Sequence, residues 1–546
     1  MSNYQPSYDA VSRTWEGPTV KTVFNPEASI GQVIFEVLNR SSDRLVQIDM
    51  DTGRSMTYAE FKSRMIRFAQ NLTAMRVGKG DVVVLANANS ENLGPLVCAL
   101  LSIGAPFNAL SPNFNEDDMA HMLGTTKPKL VFCDANNFDI VRSAVRRVFQ
   151  GKTPPIYVFE DKRDDVQHAE ELLKETGQEE QFMPRYLGDS RNTIAVILCS
   201  SGTSGAPKGV KLSHATLMKF EVFFTLHHPK NSPVQRVYFN FSAIYWITGL
   251  KWLVNVLMNG DVRLFTRNGF NEEQFFEAAE RYHAEFVLTA PAYANAILCH
   301  PRIRAIDLRS IKLWLIGGSM VSEDLRDRVD ALLPNGRSVN GFGSSECGVV
   351  ATDFGERIPN AIGMLFSGLR ARVVDELGNR LGAGERGEFL LKPEYPFLGY
   401  YGNVSATANA CDVEGFIRTG DFGYIDENGT LYLVDRLKDI FKYKNFHVTP
   451  SELEMLICKI EGVQEVSVVG VPDADRVTDL PAAFIVKTPG SDLDAPTVNN
   501  IVDSQVSDFK RLRGGVHFIK ELPKTGSGKV LRREVAEIIK QRNNKK

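Results

Sequence analysis

Short, apolar, β-branched runs recur along the chain with amphipathic stretches between them. Val82-Val83-Val84-Leu85, Leu130-Val131-Phe132, Ile194 to Leu198, Phe286-Val287-Leu288 and Leu313 to Ile316 each read as a buried strand. Tyr58 to Leu72 and Asn271 to Tyr282 instead carry the helical period. Strands alternating with helices in this way predict α/β architecture with largely parallel sheets. From about Ile362 to Glu394 the runs shorten and Gly-rich turns divide them, which predicts a small β-rich portion.

The pattern changes again near Asp435-Arg436-Leu437-Lys438-Asp439. Thr449-Pro450-Ser451-Glu452 then opens a helix, with Thr449 as expected N-cap, Pro450 at the first helical position and Glu452 closing a capping box. Leu453, Leu456, Ile457 and Ile460 give that helix one apolar face, Gly462 is expected to end it, and Val466 to Val469 follow as a strand. The expected organisation is a large N-terminal domain, residues 1–436, of α/β subdomains plus a small β-rich subdomain. A small α+β C-terminal domain, residues 437–546, follows it.

The length of 546 residues agrees with more than one hydrophobic core. A formal net charge of −3 exerts no long-range pull on nucleic acid or anionic membrane, so neither is expected as a partner. The basic tail of Lys540, Arg542, Lys545 and Lys546 reads as a solvated helix end. The seven cysteines are scattered, and Cys98, Cys133, Cys199 and Cys458 lie in apolar stretches, as free buried thiols do. That argues for a reducing compartment and against a disulfide framework or cysteine zinc site. No signal or transit peptide is visible, and the longest apolar stretch, Leu93 to Phe107, contains Pro95 and Pro106 and is too short to span a bilayer. With Asn-Asn-Lys-Lys at the end in place of a peroxisomal tripeptide, the expected location is cytoplasmic.

Ser200-Ser201-Gly202-Thr203-Ser204-Gly205-Ala206-Pro207-Lys208-Gly209 carries the clearest chemistry. It follows a buried strand, its glycines permit a tight turn, and its hydroxyls and backbone N–H groups can surround phosphate oxygens. It is not a Walker A loop, because Pro207 precedes the lysine and Gly209 follows it. The segment resembles the signature loop of the adenylate-forming superfamily, which includes acyl-CoA synthetases, 4-coumarate-CoA ligases, peptide-synthetase adenylation domains and firefly luciferase.

Further motifs follow in the order that the resemblance implies. Gly317-Gly318-Ser319 resembles the adenine-binding turn, and Gly341-Phe342-Gly343-Ser344-Ser345-Glu346 the aromatic-Gly-x-Ser/Thr-Glu motif. Thr419-Gly420-Asp421 is similar to the ribose-binding segment, Asp435-Arg436-Leu437-Lys438 to the interdomain hinge, and Pro523 to Lys529 to the catalytic lysine loop. Met56-Thr57-Tyr58 and Gly78 to Asp81 fit as well, so the likeness runs from about residue 30 to 535.

The resemblance implies ATP, Mg²⁺ and coenzyme A as reactants, with nucleotide contacts from Ser200, Ser201, Gly202, Thr203, Ser204, Gly205, Lys208, Gly318, Ser319, Gly341, Phe342, Gly343, Ser345, Asp421 and Arg436. Glu346 is a hard oxygen ligand suited to Mg²⁺, Asp421 an acceptor for both ribose hydroxyls, and Ser345 a donor to the α-phosphate. Lys529, on a Gly-rich loop, would neutralise charge as a carboxylate attacks the α-phosphate and pyrophosphate leaves. The small domain is then expected to be mobile, pivoting at Lys438 to withdraw Lys529 and present Lys442 for thioester formation. Singly, each residue also fits an ordinary surface or turn role.

Two places depart from the pattern. Asn445 stands before Phe446 where many members carry glycine beside the pantetheine arm, which touches thiolation rather than adenylation. Ile244-Tyr245-Trp246-Ile247-Thr248-Gly249 lacks the histidine pair of luciferases. Tyr245 and Trp246, with Gly317, are candidates for a substrate wall, with core packing the alternative. His227 and His228 lack a spaced third ligand and are not expected to bind metal. The expected activity is that of an acid–thiol ligase acting on a medium- or long-chain fatty acid. A luciferase-like oxygenase and a catalytically silent acyl- or nucleotide-binding protein are the alternatives. No carrier-protein domain is expected in the chain.

Overall fold

The structure is a computed structural model that describes residues 5–19, 25, 27–40, 42–159, 163–200, 206–219, 234–444, 446–473, 478–525 and 528–543, with side chains to residue 538 in the last helix. Seven strands form one sheet in the order Lys208–Ser213, Ile194–Ser200, Phe107–Ala109, Val83–Ala86, Leu130–Asp134, Ile156–Phe159 and Gln167–His168. Every neighbouring pair is parallel except the first. Uninterrupted apolar runs such as Val83–Ala86 are buried throughout, as strands covered on both faces require.

A second sheet of fifteen strands has a parallel block made by Leu45–Asp49, Val262–Phe265, Val237–Asn240, Phe286–Thr289, Leu313–Gly317 and Arg337–Ser344. Beyond Arg337–Ser344 the neighbours turn antiparallel, through Gly348–Thr352 to the strands Gly363–Leu365, Leu369–Val374 and Gly387–Pro393. The expected β-rich portion is therefore a continuation of the same sheet. Helices Ile30–Arg40, Tyr58–Ala74, Leu93–Ile103 and Ile247–Asn259 share the largest core cluster with strands of the seven-stranded sheet.

From residue 441 onward the chain builds cores of its own, around Leu453, Ile485 and Val502 on one side and Phe484 and Val535 on the other. They are enclosed by the hairpin Phe441–Tyr443/Phe446–Val448, helices Pro450–Ile457, Ala495–Gln505 and Arg532–Asn543, and a three-stranded sheet of Val463–Asp473, Thr478–Lys487 and Gly515–Phe518.

Three expectations are corrected here. The Thr449 side chain makes no capping hydrogen bond, and Glu452 pairs with Lys510 at 2.6 Å instead of closing a box. The helix ends at Ile457, and Gly462, at φ +90°, turns the chain into the strand beginning at Val463. All seven cysteines are free, with Cys98 and Cys133 buried, Cys199 half-buried and Cys458 exposed. No helix of the described residues is long and apolar enough to cross a membrane.

Candidate active site

Gly317, the last residue of strand Leu313–Gly317, faces Gly341 within the parallel strand Arg337–Ser344. A Cβ on Gly317 would stand 2.5 Å from the Gly341 carbonyl oxygen, so a larger residue would force the strands apart. Gly318 follows at φ +94°, and a Cβ on it or on Gly341 would meet nothing within 4 Å. Both positions thus border open space, with Ser319 exposed beside Gly318.

Strand Arg337–Ser344, carrying Phe342 and Gly343, folds back as Gly348–Thr352, and Ser345 and Glu346 occupy the turn. A Cβ on Gly343 would lie 2.3 Å from the Gly348 carbonyl oxygen, so the hairpin closes tightly. Tyr400 Oη donates to Glu346 Oε1 at 3.0 Å, and Lys208 Nζ stands 5.3 Å from the centroid of the Tyr400 ring. Burial and the adjacent Glu346 carboxylate push the Tyr400 phenol up, so it stays a donor. Lys208 begins a strand that pairs with Ser200, whose Oγ donates to the Lys208 carbonyl at 3.4 Å. Ser200, Lys208 and Gly209, which the sequence reading put in the signature loop, are thus strand residues. Ser201, Gly202, Thr203, Ser204 and Gly205 lie outside the described residues.

Asp421 is buried on strand Ile417–Ile425, and Arg436 Nε, on the paired strand Thr430–Arg436, lies 3.0 Å from Asp421 Oδ1. Lys529 joins this pair from the far end of the chain. Burial, together with Arg436 and Lys438, brings its pKa down to about 8, while Asp421 and Asp439 oppose the shift. Asp421 is raised by burial, against the pull of Arg436, Lys529 and Lys438. Arg436, Lys529 and Lys438 all act on the Asp421 carboxylate, with Glu346 opposing them, a concentration of positive charge suited to a polyphosphate.

The turn carrying Lys438 is held by hydrogen bonds from the Asp439 and Ile440 N–H groups to the Arg436 carbonyl, at 2.9 and 3.1 Å. Arg532 reaches it, donating to Asp439 Oδ2 at 3.0 Å, to Glu454 Oε1 at 3.2 Å and to Ser451 Oγ at 3.3 Å, with Asp435 Oδ1 at 3.7 Å. The Lys529 loop packs against helix Pro291–Cys299, where a Cβ on Gly528 would meet the Tyr293 ring at 2.7 Å. Tyr293 stacks on Phe270 at 4.1 Å between ring centroids. Tyr245 and Trp246 lie ring to ring at 5.5 Å just before helix Ile247–Asn259, and Tyr245 packs on the main core.

A cavity of about 60 Å³ opens next to Glu346, walled by Leu212, Lys251, Val349, Phe366 and Phe397. Tyr245, Trp246 and Gly317 do not line it. Lys442 is exposed on the hairpin Phe441–Tyr443/Phe446–Val448 and takes no part in the Lys529 cluster. Asn445, His227 and His228 lie outside the described residues. Sequence reasoning passed over Tyr400, Tyr293, Arg532 and Lys251. Only Lys251, the single charge in an otherwise uncharged helical stretch, left a visible trace.

The donor set bears on Mg²⁺. Among the described residues no group of three His, Cys, Asp or Glu side chains could hold a metal, and Glu346 offers a carboxylate at the hairpin tip. That fits an ion carried largely by nucleotide phosphates and water, with one carboxylate from the protein.

The AMP-binding enzyme family profile matches residues 34–401, and that of the AMP-binding enzyme C-terminal domain matches residues 452–529. The chain is 30% identical over 526 residues to a peroxisomal OPC-8:0-CoA ligase of Arabidopsis thaliana, covering 94% of each. It is 26% identical to a luciferin 4-monooxygenase of Photuris pensylvanica, covering 96% of this chain and 98% of that one. Among solved structures, an anthranilate CoA ligase in complex with anthranoyl-AMP superposes with a TM-score of 0.83 at 20% identity, over 95% of this chain and 99% of that one, a likeness of fold.

Proposed function

The chain belongs to the AMP-binding enzyme family, and on that premise we propose that it activates a medium- or long-chain fatty acid as acyl-AMP and transfers the acyl group to coenzyme A. It is an acid–thiol ligase of the AMP-forming class, using ATP, Mg²⁺ and coenzyme A. The observation that carries the mechanism is the convergence of Lys529 on Asp421, Arg436 and Lys438.

In the first half-reaction a carboxylate oxygen attacks the α-phosphorus of ATP and pyrophosphate leaves. Both reactants are anions, and Lys529, Arg436 and Lys438 offset their repulsion in a site where burial strengthens each interaction. Asp421 holds the ribose hydroxyls, and Tyr400 holds the Glu346 carboxylate in one orientation. Mg²⁺, when bound, withdraws charge from the phosphate oxygens. In the second half-reaction the thiolate of coenzyme A attacks the acyl carbon and AMP leaves. We assign Lys442 to this step, reached by a pivot at Lys438 of a unit that begins at residue 437. The apolar walls Leu212, Val349, Phe366 and Phe397 support a hydrocarbon acid. At about 30 Å³ per water-sized group the cavity takes only a short part of its chain.

Pyrophosphate release with ATP and Mg²⁺, over a panel of fatty and aryl acids with and without coenzyme A, tests the reading. Turnover dependent on coenzyme A with thioester formed is expected, and absence of release with every acid would overturn it. Cytoplasmic location belongs to the same proposal. Imaging of the tagged protein against a peroxisomal marker separates it from the compartment in the Arabidopsis relative's name.

A further inference from the structure

Arg263 lies on strand Val262–Phe265 of the fifteen-stranded sheet and is 2% exposed. Its Nη2 donates to Asn89 Oδ1 at 2.7 Å, and the guanidinium stands 5.2 Å from the centroid of the Phe265 ring. Its Nη1 has no hydrogen-bond partner, and among the described residues no carboxylate pairs with it. Burial brings the Arg263 pKa down to about 10, while Cys98 opposes the shift. The neighbouring carboxylates are committed elsewhere. Glu91 meets Arg64 at 2.9 Å and Arg54 at 3.4 Å, and Asp49 meets Arg267 at 3.5 Å. A cation withdrawn from water costs several kcal/mol unless an anion faces it.

The same guanidinium stands at the start of helix Leu93–Ile103, where Asn89 precedes the first turn and Cys98 lies in the second. Asn92, at the N-cap position, makes no side-chain cap, and its Oδ1 accepts from Arg64 Nη1 at 2.8 Å instead. The positive end of this helix is therefore left without a side-chain acceptor of its own. Ser90, just before it, is buried, and its Oγ makes no hydrogen bond. Gln47, the register partner of Arg263 on strand Leu45–Asp49, donates to the Glu91 carbonyl at 2.7 Å and leaves its Oε1 unsatisfied. A Cβ on Gly94 would meet the Phe61 ring at 3.0 Å and Gln47 Oε1 at 3.4 Å, so the space here suits a small group. A water between Arg263 Nη1 and Gln47 Oε1 would satisfy both atoms and leave the charge uncompensated.

We propose that Arg263, Ser90 and the start of helix Leu93–Ile103 hold a small monovalent anion of the halide class. One negative charge balances one guanidinium, and Nη1, the Ser90 hydroxyl and the helix N–H groups are all donors. Asn89 Nδ2 also donates to the Ser242 and Thr266 carbonyls, at 3.4 and 3.3 Å. The ion thus ties the segment leaving strand Val83–Ala86 of the seven-stranded sheet to a strand of the other sheet. No residue assigned to adenylation takes part, so the site stands apart from the ligase reading.

The test uses the full-length protein, purified in sodium gluconate and titrated with sodium chloride at constant ionic strength. Chloride should raise the midpoint of thermal unfolding by about 3 °C or more and saturate, because it binds the folded chain alone. Arg263→Met should abolish that response, and Ser90→Ala should raise the chloride concentration at half-effect by about ten-fold. Crystals soaked in sodium bromide should show an anomalous peak within hydrogen-bonding reach of Arg263 Nη1. An equal midpoint in both salts would overturn the proposal, as would a chloride response that survives Arg263→Met. If Arg263→Met does not fold, the wild-type bromide crystals decide. A peak at Nη1 supports the site, and a water there that bromide does not displace overturns it.

Discussion

Asp435 Oδ2 accepts a hydrogen bond from the Ser451 backbone N–H at 2.9 Å, so a residue of the large sheet caps the first helix beyond the hinge turn. A carboxylate at a helix N-terminus satisfies an orphan donor and meets the positive end of the helix dipole. Asp435→Ala should cost about 1–3 kcal/mol and speed amide exchange through helix Pro450–Ile457. Thr449→Ala, at the position where the sequence places the cap, should change stability by less than about 0.5 kcal/mol. Equal effects of the two substitutions on melting would contradict this assignment.

The two half-reactions should respond to different lysines. Lys529→Ala should lower adenylation by about a hundred-fold or more while sparing thioester formation from pre-made acyl-AMP. Lys442→Ala should do the reverse. Single-turnover assays of each half-reaction read both effects, and a shared loss of similar size would rule out separate faces.

The pH dependence follows from Lys529. Its cationic form is the one that offsets phosphate charge, so adenylation should fall as pH rises through about 8. Lys529→Arg, which stays charged, should shift that limb to higher pH even if the maximal rate drops. Stability has the opposite sign. Because the folded pKa lies below the ordinary lysine value of 10.5, the unfolded chain holds more protons between about 8 and 10.5. The cost of burying this ammonium is fully present below about 8 and is relieved as pH rises across that window. Denaturant titrations of wild type and Lys529→Met over the same range check it.

Gly528→Ala joins two faults, a side chain at φ +83° and a Cβ 2.7 Å from the Tyr293 ring. Adenylation should fall at least about ten-fold, because the loop that positions Lys529 must shift. Tyr293→Ala in the same chain removes the clash but not the backbone strain, and should recover part of the loss. No recovery in the double variant would mean that the ring does not position the loop.

What could be read beforehand depended on how local the cause was. The strand Leu313–Gly317 and the helix Tyr58–Ala74 follow from their own runs of apolar residues. Thr57 does form the capping box that Thr449 does not; beside Thr449 the remote Asp435 carboxylate takes the Ser451 N–H instead. Glu346 and Asp421 stood out through motif spacing. Tyr400 did not, since its role comes from a segment that docks on strand Lys208–Ser213 more than fifty residues from Glu346. Arg532 and Tyr293 likewise acquire meaning only when remote parts of the chain meet.

Arg532 lies three residues beyond Lys529, so a swing that removes the lysine carries the arginine with it. Its closest carboxylate partner, Glu454, whose Oε2 lies 2.5 Å from Arg532 Nη2, sits on helix Pro450–Ile457 on the same side of the proposed pivot. Asp435 stays behind on the large sheet. A turn about the proposed pivot at Lys438 would therefore leave the guanidinium paired, because its counter-ion would travel with it. Such a turn would release the Asp435–Ser451 hydrogen bond and the longer Asp435–Arg532 approach, together with the Asn295–Gln464 hydrogen bond and the packing of Gly528 on Tyr293. The proposed joint is a bearing with its ballast on the rotor and several catches on the stator, so bound reactants must offset those contacts to set its position.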